Sequence, residues 1–116
     1  MKLDHLEIKN FNFVGLNSQT SGEITFFGKT YFYGKHQGNI VQADNDQITI
    51  HAEAELIGDL RAENASVFGK VNGNINISGT LNVFSGGVVE GTIRSKNLNI
   101  HPGAIIIGEM NSVDSL

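Results

Sequence analysis

LNVFSGGVVEGTI, residues Leu81–Ile93, is echoed 17 residues later by LNIHPGAIIIGEM, residues Leu98–Met110. Leu, Asn and two Gly recur identically. Four further positions exchange one apolar residue for another: Val83 with Ile100, Val88 with Ile105, Val89 with Ile106, and Ile93 with Met110. Eight matches in thirteen positions mark an internal repeat, which decides the architecture before any single element is read.

The register extends upstream. Gly, any residue, then an apolar residue occurs at Gly22-Glu23-Ile24, Gly38-Asn39-Ile40, Gly58-Asp59-Leu60, Gly73-Asn74-Ile75, Gly91-Thr92-Ile93 and Gly108-Glu109-Met110. The gaps are 16, 20, 15, 18 and 17 residues. A second Gly lies four residues before three of these, at Gly34, Gly69 and Gly87. GKHQGNI from Gly34 and GKVNGNI from Gly69 are nearly one phrase. Between the glycines the pattern alternates: Ala65, Val67, Val71, Ile75 and Ile77 are apolar, with Ser66, Lys70, Asn72, Asn74 and Asn76 among them. A period of two is that of a half-buried strand.

Strands of three to five residues cannot each bury a face alone, but stacked repeats can. The expected fold is therefore all-β: a single-domain β-solenoid of about six coils of ~17 residues. Val83 with Ile100, and Val89 with Ile106, should form inner aliphatic ladders. The 20-residue gap is expected to hold a polar bulge, ADNDQ, at Ala43–Gln47. A β-sandwich would also alternate, but it would not repeat one phrase in fixed register.

Composition narrows the function. The chain has 116 residues, no Cys, one Pro, 14 Gly and no Trp. Without Cys there is neither disulfide nor thiolate chemistry, and a cytoplasmic location is expected. Met1–Phe11 lacks the continuous apolar run of a secretion signal. A net charge of −4 with eight scattered Lys and Arg argues against a nucleic-acid surface. His5, His36, His51 and His101 have no zinc-like spacing and read as solvated turn residues. DNDQIT from Asp44 opens like a calcium loop closed by Glu55. However, Thr49 stands where that loop needs Gly, and Ile48 where it needs an oxygen ligand. The sequons at Asn64 and Asn76 read as incidental. No catalytic, cofactor-binding or metal residue is expected.

The phrase from Ser66 to Met110, SVFGKVNGNINISGTLNVFSGGVVEGTIRSKNLNIHPGAIIIGEM, resembles the core of the bactofilins, bacterial polymer-forming cytoskeletal proteins. SGEITFFGKTYFYGKHQGNI resembles the first two coils of that family, and NDQITIHAEAELIGDL the third. The resemblance implies a right-handed β-helix of triangular cross-section that assembles end to end into filaments without nucleotide. Like ends would meet, so that the filament has no polarity. It also implies a scaffold near the cell envelope that supports cell shape or places wall-synthesis enzymes.

On this reading residues 1–13 form an extended N-terminal segment, 14–110 the β-helix and 111–116 a short tail. Met1–Asn10 offers weak support for membrane association, because Asp4 and Glu7 interrupt its apolar residues. The ends of a solenoid are open strand edges. Aromatic Phe11, Phe13, Phe26 and Phe32 at one end and Ile105, Ile106 and Ile107 at the other are the candidate polymerisation surfaces. By alternation Phe27, Tyr31, Tyr33, Phe68 and Phe84 point outward as candidates for a lateral or partner contact. Glu53 is expected to separate Tyr33 from Phe68. Two other readings remain: a left-handed hexapeptide-repeat acyltransferase, whose period is closer to 18, and a monomeric β-helix binding module.

Overall fold

A computed structural model describes residues 11–15 and 19–112. Among them run eleven strands: β1 Phe11–Val14, β2 Gln19–Phe26, β3 Lys29–Phe32, β4 Lys35–Gln42, β5 Gln47–Ile50, β6 Glu55–Ile57, β7 Leu60–Ala62, β8 Asn64–Val67, β9 Lys70–Val83, β10 Val88–Ile100 and β11 Ile105–Ser112. Every pairing is parallel. That is the pattern of a chain that returns to the same side after each circuit instead of doubling back. The result is a β-solenoid of about five turns.

Three ladders enclose the core. Face I stacks β1, β3, β5 and β8, then the ends of β9 and β10. Face II stacks the starts of β2 and β4, then β6 and the starts of β9, β10 and β11. Face III stacks the later halves of β2 and β4, then β7 and the following portions of β9, β10 and β11. The 17-residue echo is an exact register of neighbouring coils: Leu81 pairs with Leu98 and Val83 with Ile100, while Val89 pairs with Ile106 and Ile93 with Met110.

The repeated Gly is the bend between faces II and III. Gly38, Gly58, Gly73, Gly91 and Gly108 have φ of 131–147°, a region closed to most side chains. They also stack so closely that a Cβ on Gly73 would lie 1.8 Å from the Gly58 carbonyl oxygen. The apolar residue two places on turns inward, so Ile24, Ile40, Leu60, Ile75, Ile93 and Met110 form one column. Its four middle members are fully buried, each contributing about 1.5–3 kcal/mol.

Strand length departs from expectation. β9 has 14 residues and β10 has 13, because the ladder continues through the glycine bend instead of ending there. The 20-residue gap also has two sources. The corner after face III lengthens to residues 43–46, against 27–28 one coil earlier. The corner between faces I and II lengthens to residues 51–54, against 33–34. Each contributes two extra residues, so the ADNDQ bulge accounts for half of the excess.

Candidate assembly ends and the aromatic column

The corner between faces I and II has two lengths. It spans two residues at Tyr33–Gly34 and Phe68–Gly69, and four at His51–Ala54, Phe84–Gly87 and His101–Ala104. The longer corners are closed by Ala54 N–H to His51 O (2.9 Å), Gly87 N–H to Phe84 O (2.9 Å) and Ala104 N–H to His101 O (3.1 Å). In both lengths the first corner residue is held identically. Tyr33, His51, Phe68, Phe84 and His101 donate their amides to Val14, Phe32, Ile50, Val67 and Val83, the last face-I residue of the preceding coil. Their rings therefore fall in one line.

The rings stack along that line. Tyr33 and His51 have centroids 3.9 Å apart and 9° from parallel. His51 to Phe68 is 6.1 Å, Phe68 to Phe84 is 4.5 Å, and Phe84 to His101 is 4.4 Å. Tyr31 tilts against His51 at 5.9 Å. Such pairs are worth about 0.5–1.5 kcal/mol beyond the area they bury. His51, rather than Glu53, lies between Tyr33 and Phe68, so the expected break in the aromatic surface is absent. Tyr31, Tyr33, Phe68 and Phe84 are half-buried, because each outward ring is covered by its neighbours, whereas Phe27 stands 62% exposed.

The expectation of solvated histidines also fails. His36 is buried and faces inward, its Nε2 donating to Gly22 O at 2.9 Å and its Nδ1 lying 2.7 Å from Thr20 Oγ1. The Nε2 atoms of His51 and His101 are buried without a hydrogen-bond partner. Burial lowers the pKa of His51 from its ordinary 6.5, so the ring stays neutral within the stack. His5 lies outside the described residues.

The two ends differ. At the first coil, Phe11 and Phe13 pair in register with Lys29 and Tyr31, Phe26 packs half-buried against the core, and Phe32 is fully buried within it. At the last coil the three consecutive isoleucines divide. Ile106 turns inward beneath Val89 and packs on the core, while Ile105 and Ile107 point outward, each 52% exposed. Ile100 and Met110 continue inner columns but remain 43% and 47% exposed. Val83 and Ile93, one rung earlier in those columns, are fully buried. Among the described residues, the last coil thus presents a core cross-section with no further rung on it, bordered by two outward isoleucines.

The family model for bactofilin, described as polymer-forming cytoskeletal, matches residues 12–111. The chain belongs to the bactofilin family. Comparisons with curated proteins and with solved structures returned no match. Bactofilins are a structural, cytoskeletal family, and a scaffold role fits the description. β1 and β11 run across the expected domain edges at residues 14 and 110. Among the described residues no helix is long and apolar enough to cross a membrane. No cluster of three His, Cys, Asp or Glu there could hold a metal ion. Asp44, which opens the DNDQIT phrase, accepts from Gly28 N–H at 2.6 Å and from Gln42 Nε2 at 2.9 Å. Burial alone would raise its pKa, but these bonds and the Asp46 amide outweigh it and hold the carboxyl below its usual range.

Proposed function

We propose that this bactofilin is a self-assembling scaffold whose solenoids join end to end into filaments without nucleotide. The observation that carries the reading is the open last coil. Ile100, Ile106 and Met110 continue core columns that no strand among the described residues covers. Among the described residues β11 pairs only with β10, leaving a parallel-sheet edge available for continuation. A second copy meeting it with the same end would cover both apolar cross-sections at once, a self-complementary contact. The opposite end, bearing Phe11, Phe13 and Phe26, would form the alternate joint. The filament would lie in the cytoplasm against the inner face of the membrane and hold envelope or wall-synthesis proteins in place. Its chemistry is assembly rather than catalysis.

Negative-stain electron microscopy of the purified chain, without nucleotide or metal, tests this directly. Wild type should form long thin filaments. Ile106→Lys should abolish filaments and leave particles no longer than two chains joined at the opposite end, because an unpaired charge enters this joint at a cost of several kcal/mol. The outward pair Ile105→Lys/Ile107→Lys should shorten filaments while leaving the inward packing of Ile106 intact. Uniform small particles from wild type, or full-length filaments from both variants, would overturn the assignment.

A further inference from the structure

The chain contains two arginines, Arg61 and Arg94, separated by 33 residues in sequence. The solenoid brings them together. On face III Arg61 pairs in register with Asn76, and Asn76 with Arg94. Two rungs separate the arginines, or about 10 Å between their backbones. Both line a groove of about 740 Å³. Both are exposed, and neither has a hydrogen-bond or ion-pair partner among the described residues.

The wall of this groove is a built feature. Ala43, Asp44 and Asn45 of the 43–46 corner line it together with the two arginines. That corner is anchored by polar groups placed inside the core. Gln42 is buried at a position where the neighbouring coils carry Phe26 and Ala62. Its Oε1 accepts from Thr30 Oγ1 at 2.8 Å, while its Nε2 donates to Gly28 O and to Asp44 Oδ1. Asp44 then binds the amides of Gly28 and Asp46. Burying an amide is costly unless it is fully bonded, and here every bond serves to hold the enlarged corner in place.

We propose that this groove binds an extended acidic peptide segment of a partner protein, with carboxylates seated on Arg61 and Arg94. Guanidinium groups are suited to this role, since their planar fork grips a carboxylate in two-point fashion. Asn76 between them offers a donor and an acceptor to the peptide backbone. Asp44 and Glu63, which also line the groove, select against a uniformly charged polyanion or an anionic membrane surface, which would place negative charge against negative. A peptide alternating acidic and neutral positions meets both signs. The site lies on the side of the rod, so it stands independently of whether the ends join.

The probe is a fluorescein-labelled peptide of three Glu-Ser-Val repeats, with its Gln-Ser-Val counterpart, titrated by anisotropy at low salt. Wild type should bind the acidic peptide at least about tenfold more tightly than the neutral one. Arg61→Gln/Arg94→Gln should lose about tenfold in affinity, with melting temperature and particle shape unchanged. Lys70→Gln, on face II, should bind as wild type does. Asn76→Asp, which places a negative charge between the arginines, should weaken binding by a comparable factor. Equal binding of the two peptides, or of the wild type and the double-arginine variant, would overturn the proposal. So would tighter arginine-dependent binding of inorganic polyphosphate or of phosphatidylglycerol vesicles.

Discussion

Two corners of the solenoid solve the same problem by different means. The bend between faces II and III is made by backbone alone: one Gly per coil at positive φ, and from Gly38 to Gly108 each so close to the Gly before it that a methyl group cannot enter. The bend between faces I and II is made by side chains, with a stacked ring on each of five successive coils from Tyr33 to His101 and a loop of either two or four residues behind it. From Gly38 onward the first admits no change of residue. The second accepts Tyr, His and Phe, and both lengths, because only the first corner residue is tied to the preceding coil. A repeat fold can thus keep strict register at one edge and absorb insertions at another.

Breaking the glycine corner should have the largest effect. Gly73→Ala puts a Cβ against the Gly58 carbonyl at a φ of 147°. The rungs must separate at the centre of the stack, and we expect a loss of several kcal/mol or failure to fold, read from urea unfolding. Phe68→Ala should cost less, about 2–3 kcal/mol, because this half-buried ring loses both its stacking contacts and part of its covered area. Its unfolding should remain cooperative. The smallest effect sharpens the comparison through pH. His51 titrates below 6.5 in the folded chain, so folding favours its neutral form. Its contribution is complete above the unfolded pKa and is lost as pH falls through the lower folded value. Melting temperature should therefore drop from pH 7 toward pH 5, and His51→Phe should reduce that drop while preserving the stack. An identical pH slope in wild type and variant would show that the ring carries no such load.

The same contrast explains what could be read from the chain. The glycine corner was legible because no other residue fits there, so geometry is written as identity. The 17-residue echo likewise reproduced the register of the last two coils residue for residue. The ring column was not legible as a column. Its members are three residue types, at spacings of 18, 17, 16 and 17 residues. Treating His as an aromatic ring at coil spacing would have revealed it. The core amide of Gln42 and the buried imidazole of His36 were hidden for another reason, since their partners Thr30, Gly28, Thr20 and Gly22 come from other turns or lie across a corner. The arginine pair became visible only once Asn76 was placed between its members. Of the end residues, the division of Ile105, Ile106 and Ile107 into one inward and two outward side chains follows from alternation. The exposure of Ile100 and Met110 follows only from knowing that no rung follows theirs among the described residues.

The parallel ladders on all three faces have a mechanical consequence. Backbone hydrogen bonds between coils point along the direction in which the coils stack, and every one of the three faces carries them. A tensile load is then shared among all the bonds of one interval at once, and bending toward any side must stretch a ladder on the opposite side. A single flat sheet has a soft direction, normal to its plane. This three-sided tube has none, which makes it a stiff strut for its thickness.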